Sequence, residues 1–281
     1  MKNWFLFSLL ALVIVVSAGA CKSEFEKVRA SGDTDLLYKK AFEYYEQEEY
    51  LRAQTLFELI IPAYRGHPEL EKVYFTYAYT YYKLSRFVMA NYYFKNFSST
   101  FPASTLKEEA DFMAAYSNYQ MSPTYRLDQT YTTKAIDEFQ TFVNTYPSSD
   151  RVKECNRLID EMRLKLENKA FEEGLLHFNL RQYQAASVTF GNLLKDFPET
   201  NNAEQVRYFI AKAGYELAVN SIFDKQEERF KNTVGYAKDY IGKFSGGSHY
   251  EEVQSIYDNS VKKLKSLTNG RYQDKGPRIG S

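Results

Sequence analysis

The chain of 281 residues carries 36 basic and 36 acidic residues and therefore has no formal net charge. Proteins that bind nucleic acid usually present a basic face, and this balance argues against that class of partner. The sequence contains no glycine-rich phosphate loop, no nucleophile elbow and no cluster of histidines and cysteines. We therefore expect a protein that is not an enzyme and that has neither a cofactor nor a metal site.

Residues 1–20 have the order of a bacterial export signal. Lys2 precedes an apolar run over 4–16, and small residues follow as far as Ala20. The apolar run is too short for a comfortable membrane span. Because Cys21 comes next, the segment resembles a lipoprotein signal peptide, in which the cysteine becomes the lipidated N-terminus. A plain signal peptide cleaved near Ala20 is the alternative.

The two ends of the remaining chain are polar. Residues 21–34 predict a lipidated N-terminus and a polar tether, and Asp33 or Thr34 is suited to capping the first helix. Residues 270–281 contain few apolar side chains and predict a disordered tail.

Between these ends a phrase recurs: a small residue, a phenylalanine four positions on, and a proline after a further aromatic residue. The spacing of four places the first two residues on one helix face, and the proline ends the helix. This phrase is typical of the second helix of a tetratricopeptide unit. Weaker copies begin at Ala53 and Thr233. The complete copies are Ala90, Phe94 and Pro102, then Ala135, Phe139 and Pro147, then Ala186, Phe190 and Pro198.

The recurrence predicts an all-α fold, a tetratricopeptide-like helical-repeat superhelix of about five irregular units. Units 1–3 are expected over 35–148, and units 4–5 with a terminal helix over 149–269. An insertion is predicted around 122–129 in the third unit, and a long helix from near Asp150 to Phe178 opens the fourth. The alternative is an ordinary helical bundle in which the phrase recurs by chance.

Aromatic residues are unusually abundant, with 25 Tyr and 21 Phe. In tetratricopeptide arrays the first helix of each unit lines the concave surface. Counting from Ala41 and Ala78 places six aromatic residues on that surface, which we predict to be an exposed peptide-binding groove. Alternatively, the tether or a tightly wound superhelix closes the groove. The six residues are Tyr38, Phe42, Tyr45, Phe75, Tyr79 and Tyr82.

In the third unit the same count from Ala114 gives Asp111, Ala115 and Asn118, and the aromatic strip is therefore expected to end after the second unit. Cys155 is the second of two cysteines. If Cys21 carries lipid, Cys155 is alone in an oxidising compartment, and we predict a buried thiol rather than a disulfide.

The signal ending at Cys21, the polar tether, the irregular repeats, the insertion in the third unit and the long helix opening the fourth together resemble the BamD family. This family comprises lipoproteins of the machinery that assembles outer-membrane β-barrels. The resemblance covers roughly residues 25–267. The repeat ends that carry it are Phe101-Pro102, Tyr146-Pro147 and Phe197-Pro198.

The resemblance implies a non-catalytic scaffold that acylated Cys21 anchors in membrane lipid, on the periplasmic side of the outer membrane. It implies that the N-terminal repeats bind unfolded outer-membrane protein clients. The C-terminal repeats would dock the periplasmic domains of the barrel-forming partner, in a half that includes Tyr183, Gln184, Arg207, Tyr208 and 225–231. The alternative is a tetratricopeptide lipoprotein that scaffolds another envelope machine for secretion, motility or cell-wall coordination.

Overall fold

The computed structural model describes residues 24–274, and the side chains as far as residue 268. The described residues form twelve α-helices and no β-strand. The predicted all-α fold is therefore confirmed. The predicted signal peptide, Cys21 and the last seven residues of the tail lie outside the described residues.

The helices follow one another in pairs, with a final helix after the fifth pair. The pairs are α2–α3, α4–α5, α6–α7, α8–α9 and α10–α11, which confirms the predicted five units and terminal helix. The bounds are α1 Glu24–Arg29, α2 Thr34–Glu46, α3 Tyr50–Ile60, α4 Glu69–Lys83, α5 Phe87–Thr100, α6 Lys107–Gln120, α7 Thr130–Thr145, α8 Val152–Asn179, α9 Tyr183–Asp196, α10 Ala203–Val219, α11 Phe223–Lys243 and α12 Tyr250–Asp274.

The second helices of repeats 2–5 end in the same way. Each ends at an aromatic residue with φ between −121° and −132° and ψ between 57° and 68°, namely Phe101, Tyr146, Phe197 and Phe244. A proline follows the first three of these residues and disfavours the helical conformation before it. Phe244 precedes Ser245 and adopts the same conformation, so the weak fifth copy of the phrase is a full structural repeat.

The turn between the first and second helices of repeats 1, 2 and 4 contains a residue with positive φ that is not glycine. These residues are Glu48, Ser85 and Arg181, with φ of 60°, 56° and 57°. In the second repeat the Ser85 N–H donates to the Tyr82 carbonyl and the Arg86 N–H to the Tyr81 carbonyl, both at 2.9 Å. This is the Schellman arrangement, in which glycine is the preferred residue at the left-handed position.

We expect Ser85→Gly to stabilise the first three repeats. A side chain in the left-handed region costs about 1–2 kcal/mol, and the extra freedom of glycine in the unfolded chain cancels part of the gain, leaving about 0.5–1 kcal/mol. Chemical denaturation measures the change, with Ser85→Ala as the control that keeps the strained conformation. A lower denaturation midpoint for Ser85→Gly would contradict this account of the turn.

Part of the predicted tether is helical, which corrects that prediction. In α1 the Phe25 ring packs edge-on against Tyr44 with ring centroids 5.7 Å apart, and Val28 is buried. The guanidinium of Arg52 lies 5.6 Å from the Phe25 ring and from the Tyr44 ring. Phe25 and Val28 are three residues apart, so both lie on one helix face and can pack together on the first repeat.

Three local predictions are confirmed. The Asp33 side chain caps α2 by accepting hydrogen bonds from the N–H groups of Asp35 and Leu36 at 3.1 and 3.0 Å. The long helix that opens the fourth unit is α8. No helix is present over 122–129, where the insertion was predicted.

Contacts divide the chain into two compact units. The first comprises 24–123 and 129–159, and the second comprises 124–128 and 160–274. The division falls inside α8 rather than between 148 and 149, where the sequence analysis divided the repeats. The ammonium group of Lys169 donates to the carbonyls of Tyr125 and Leu127 at 3.3 and 3.0 Å, which ties this part of the insertion to the second unit.

The terminal helix α12 reaches Asp274 and so enters the segment predicted to be disordered. The reason is that Gly270 opposes a helix only weakly, by about 1 kcal/mol relative to alanine.

Cys155 is fully buried in the first unit, as predicted. Burial raises the pKa of its thiol to about 11. We expect iodoacetamide to alkylate Cys155 in the native protein only as fast as the chain opens, because the thiolate is the reactive form. The unfolded thiol ionises first as the pH rises through about 9, so stability is expected to fall between pH 9 and 11 relative to Cys155→Ala. Rapid alkylation under native conditions would contradict the burial.

Candidate peptide-binding surface

The six predicted groove residues lie on the first helices α2 and α4, and all six are half-buried. Part of each side chain is therefore accessible, and the peptide-binding groove remains a prediction. Phenylalanines of the second helices cover one side of these rings: Phe42 lies 5.0 Å from Phe57, and Tyr79 lies 5.0 Å from Phe94.

The aromatic strip continues into the third repeat, which corrects the expectation that it ends after the second unit. Ala115 is fully buried and occupies the position of Ala41 and Ala78. Counting from Ala115 instead of Ala114 places Phe112, Tyr116 and Tyr119 at the groove positions of α6, where the two tyrosines are half-buried and Phe112 is buried. We call the full set the aromatic ladder: Tyr38, Phe42, Tyr45, Phe75, Tyr79, Tyr82, Phe112, Tyr116 and Tyr119.

Rings of the aromatic ladder contact one another within and between repeats. Tyr38 and Phe42 are 4.8 Å apart between centroids, and Phe75 and Tyr79 are 5.1 Å apart. Tyr82 of the second repeat lies 6.2 Å from Tyr116 of the third. These distances fall in the range of favourable aromatic pairs, so the ladder is one connected surface across the junction of repeats 2 and 3.

A floor of buried phenylalanines from the second helices supports the aromatic ladder. Phe75 packs 5.1 Å from Phe97, and Phe112 packs 5.8 Å from Phe139. The floor residues are 0–2% exposed and keep the ladder rings in place. They are Phe57, Phe94, Phe97, Phe139 and Phe142.

A polar network borders the aromatic ladder at the third repeat. The Tyr79 hydroxyl donates to Glu109 Oε1 at 2.7 Å, and Arg151 Nη2 donates to Glu109 Oε2 at 2.6 Å. The Arg151 guanidinium also lies 3.9 Å from the centroid of the Phe112 ring. This network fixes the rotamer of Tyr79 and places a cation–π contact at one end of the ladder.

The phenols of Tyr45 and Tyr79 remain protonated over the physiological range. Burial, with a smaller contribution from Tyr50, raises the pKa of Tyr45 to about 12. Burial and the hydrogen bond to Glu109 raise the pKa of Tyr79 further. A protonated phenol donates one hydrogen bond. Tyr79 uses its hydrogen on Glu109, whereas Tyr45 combines apolar contact area with a donor for a backbone carbonyl.

The described part of the tether does not lie over the ladder. Helix α1 contacts Tyr44 and Arg52, and its Glu24 pairs with Lys40 at 3.2 Å. Successive residues of an α-helix are rotated by about 100° around its axis. Lys40 and Tyr44 therefore lie more than about a third of a turn away from the ladder side of α2. Helix α1 therefore does not cover the ladder side of the first repeat.

The second compact unit has the equivalent positions in its first repeat. Counting from Gly174 gives Phe171, Leu175 and Phe178, which the sequence analysis did not consider. Phe171 packs 5.7 Å from Phe190, and Phe178 packs 5.3 Å from Phe209. Counting three residues before, one after and four after the buried small residue identifies these positions and those of the third repeat.

A second candidate surface lies at the junction of α9, α10 and α11. A cavity of 340 Å³ and an adjoining one of 640 Å³ share Gln184, Val188 and Leu217 in their walls. Lys225 and Arg229 line the smaller cavity. We call this region the α9–α11 surface, and Val188 on it is 58% exposed.

Only part of the docking region implied by the resemblance lies on this surface. Tyr183, Gln184 and Lys225 line the two cavities. Arg207 instead pairs with Asp239 at 2.8 Å, and Tyr208 is buried and donates to Glu252 at 2.9 Å. The contacts of Arg207 and Tyr208 are therefore internal to the fold.

Paired helices that present one aromatic face define a scaffold of the tetratricopeptide class. None of the described helices has the length and apolar character needed to cross a bilayer, and no metal-binding cluster is present among the described residues. A family model described as YfiO, outer membrane lipoprotein, matches residues 31–229. The chain belongs to this family of outer membrane lipoproteins.

Known proteins support the family resemblance found in the sequence. The putative outer membrane protein assembly factor BamD of Aquifex aeolicus is 28% identical over 266 residues, which cover 92% of this chain and 83% of the relative. The resemblance to the BamD family is thereby confirmed.

Solved structures give weaker matches. The TPR domain of P58(IPK) has a TM-score of 0.40 at 13% identity and covers 87% of this chain and 67% of its own. The TPR2AB domain of yeast Sti1 in its pHSP90 complex has a TM-score of 0.38 at 12% identity, with 81% and 98% covered. Scores this low do not align individual repeats, and the fold class rests on the helices themselves.

Proposed function

We propose that this protein is a non-catalytic scaffold for the assembly of outer-membrane proteins, and that the aromatic ladder binds unfolded client segments. The name of the Aquifex aeolicus relative supports the process. The observation that carries the binding role is the aromatic ladder itself: three consecutive repeats place aromatic residues at the same three positions. Partly accessible aromatic residues that recur along neighbouring repeats are typical of a binding site.

The ladder favours an extended segment rich in aromatic residues. Extended chains present alternate side chains to one face, and accessible ring edges on the ladder offer them edge-to-face contacts. A backbone carbonyl of such a segment can accept a hydrogen bond from the Tyr45 hydroxyl. The resemblance implies that the clients are unfolded β-barrel proteins, whose terminal strands are rich in aromatic residues. Weak contacts with rapid release suit a client that must be passed on.

We infer that the α9–α11 surface docks the barrel-forming partner through that partner's periplasmic domains. Its shared wall is partly apolar, through Val188 and Leu217. At one side Lys225 and Arg229 add positive charge, of which Glu228 offsets a part. This combination favours a partner that presents an apolar side chain next to a carboxylate. Arg229→Glu should weaken that docking and leave client binding at the ladder unchanged.

The lipid attachment is assigned to Cys21. A lipoprotein of this type needs a cysteine to acylate, and the chain has two cysteines. Cys155 is fully buried within the first unit, where burial raises the pKa of its thiol. Cys21, after the apolar segment and small residues, is the remaining candidate, and we propose that the protein lies on the periplasmic side, as the resemblance implies.

Mild crosslinking in intact cells tests the proposed process. The full chain would be purified through a C-terminal tag and its partners identified. Recovery of a large outer-membrane barrel protein with periplasmic domains, together with unfolded barrel proteins, is the expected result. Recovery of secretion, motility or cell-wall components instead would keep the scaffold class and overturn the assembly role.

A further inference from the structure

The outer sides of α3 and α5, which face away from the buried core of the first unit, carry exposed apolar side chains beside the exposed charged residues Arg52, Glu58 and Lys95. Val88, Met89 and Tyr92 project from α5 on the side opposite the buried Ala90 and Phe94. Together with two leucines of α3 they form what we call the outer apolar face, whose side chains are between 38% and 57% exposed. The five residues are Leu51, Leu59, Val88, Met89 and Tyr92.

The third repeat does not share this character. In the second repeat, Val88 and Met89 directly precede the small residue Ala90, and Tyr92 follows it by two positions. The same positions around Ala135 are Thr133, Lys134 and Asp137, all of them exposed. The apolar side chains are therefore not required by the repeat fold, although the fourth repeat also has one exposed apolar residue, Val188, at the position of Tyr92. A clustered apolar surface on a monomer indicates an interaction.

The N-terminal chain reaches the body of the protein beside this face. Helix α1 packs on α3 through Arg52, which follows Leu51 in sequence and whose guanidinium lies 5.6 Å from the Phe25 ring. Three residue steps separate Cys21 from Glu24, the first residue of α1. They span at most about 10 Å, at about 3.5 Å per residue. If Cys21 carries the lipid, the first repeat cannot move far from the bilayer surface.

We propose that the outer apolar face rests on the lipid surface of the outer membrane. The proposal rests on the acylation of Cys21 stated above and not on the client-binding role. Leucine, valine and methionine bury apolar area among the upper acyl chains, and tyrosine is favoured at the level of the headgroups. A short anchor also holds the face at a high local concentration of lipid, so that a weak surface contact is enough.

This contact would orient the first unit on the membrane. On α2 the ladder side and the side that carries α1 are turned apart by more than about a third of a turn. A face fixed on lipid beside α1 would therefore keep the ladder side of the first repeat away from the bilayer. Client segments could then reach the ladder without passing through the lipid.

Depth-dependent fluorescence quenching tests the proposal in the full-length acylated protein. An environment-sensitive probe would be attached at Val88→Cys or Tyr92→Cys, and Asp137→Cys is the matched control because it occupies the position of Tyr92 in the next repeat. The protein would be placed in vesicles of phosphatidylethanolamine and phosphatidylglycerol that contain quencher-labelled lipid. Buried Cys155 remains unlabelled under native conditions.

We expect probes at 88 and 92 to shift their emission to the blue and to lose fluorescence to the quencher, whereas the probe at 137 does neither. Equal quenching at 92 and 137, or none at 92, would overturn the proposal. The assay contains no client, so failure here leaves the assembly role untouched.

A transplanted surface gives a second test. The triple variant Val88→Thr, Met89→Lys and Tyr92→Asp carries the residues of the third repeat at exposed positions, and its fold should be unaffected. With the probe at Leu51→Cys, we expect the variant to lose quenching while the acyl chain keeps the protein on the vesicle. Unchanged quenching at position 51 would overturn the proposal.

Discussion

The double variant Tyr82→Ala and Tyr116→Ala is expected to weaken binding of an aromatic, extended client peptide by about 30-fold or more. The two rings lie 6.2 Å apart and join the second repeat to the third. Central aromatic residues of an interface contribute about 1–2 kcal/mol each or more, and about 2 kcal/mol corresponds to a 30-fold change in Kd. Fluorescence anisotropy with a labelled peptide from a barrel C-terminus measures the affinity.

Two control variants separate a binding defect from a folding defect. Tyr92→Ala removes the same side chain from the outer side of α5, where it is 54% exposed, and should leave the affinity unchanged. Tyr82→Phe keeps the ring and should retain most of the binding. A double variant that keeps its helical circular dichroism and the original affinity would remove the ladder as the client site.

Substitution of Gly174 by alanine is expected to destabilise the second unit by about 1–3 kcal/mol, the usual cost of an overpacked core. A Cβ at this position would lie 2.6 Å from Phe190 Cε1 and 2.7 Å from its Cζ. The Phe190 ring cannot move away easily, because it is fully buried and stacks on Phe209 at 5.4 Å. This steric cost exceeds the gain of about 1 kcal/mol that alanine otherwise brings to a helix.

Gly191 on α9 provides the matched comparison. Its added Cβ would meet nothing within 4 Å. Gly191→Ala should therefore stabilise the same unit by about 0.5–1 kcal/mol through helix propensity alone. Thermal and chemical denaturation of the two variants should give shifts of opposite sign. Shifts of the same sign would contradict the close packing of α8 on Phe190.

The repeat architecture could be predicted because its signals are local. A proline after an aromatic residue fixes the end of a helix, and an alanine four residues before a phenylalanine fixes the face that packs. Phe101 and Phe197 therefore end their helices where the sequence places the ends. Phe244 shows that the aromatic residue adopts the same terminal conformation without the proline.

The register of the third repeat could not be read from the small residues alone. Ala114 and Ala115 are adjacent, and both are buried. The correct register, counted from Ala115, follows from the contacts of Phe112 with Phe139 and Phe142 across the repeat, at 5.8 and 5.9 Å between ring centroids. These are tertiary contacts. An error of one residue rotates the expected face by about 100° and replaces three aromatic residues with Asp111, Ala115 and Asn118.

The accessibility of the ladder also depends on packing that the sequence does not specify. Tyr64, which lies outside the helices, stacks on Tyr38 at 5.4 Å and half-covers it. Helix α1 was missed for a related reason: six residues are too few for a periodic signal, and Phe25 is held by Tyr44 and Arg52 rather than by its own neighbours.

Site-specific photocrosslinking in living cells tests the central claim most directly. A photoreactive phenylalanine analogue would replace Tyr82 or Tyr116 on the aromatic ladder, and Tyr92 on the outer side of α5, in the full acylated chain. If the ladder holds unfolded outer-membrane proteins, adducts with these clients form from positions 82 and 116 and not from 92. Client adducts that are absent at the ladder, or equally abundant at position 92, would contradict the account.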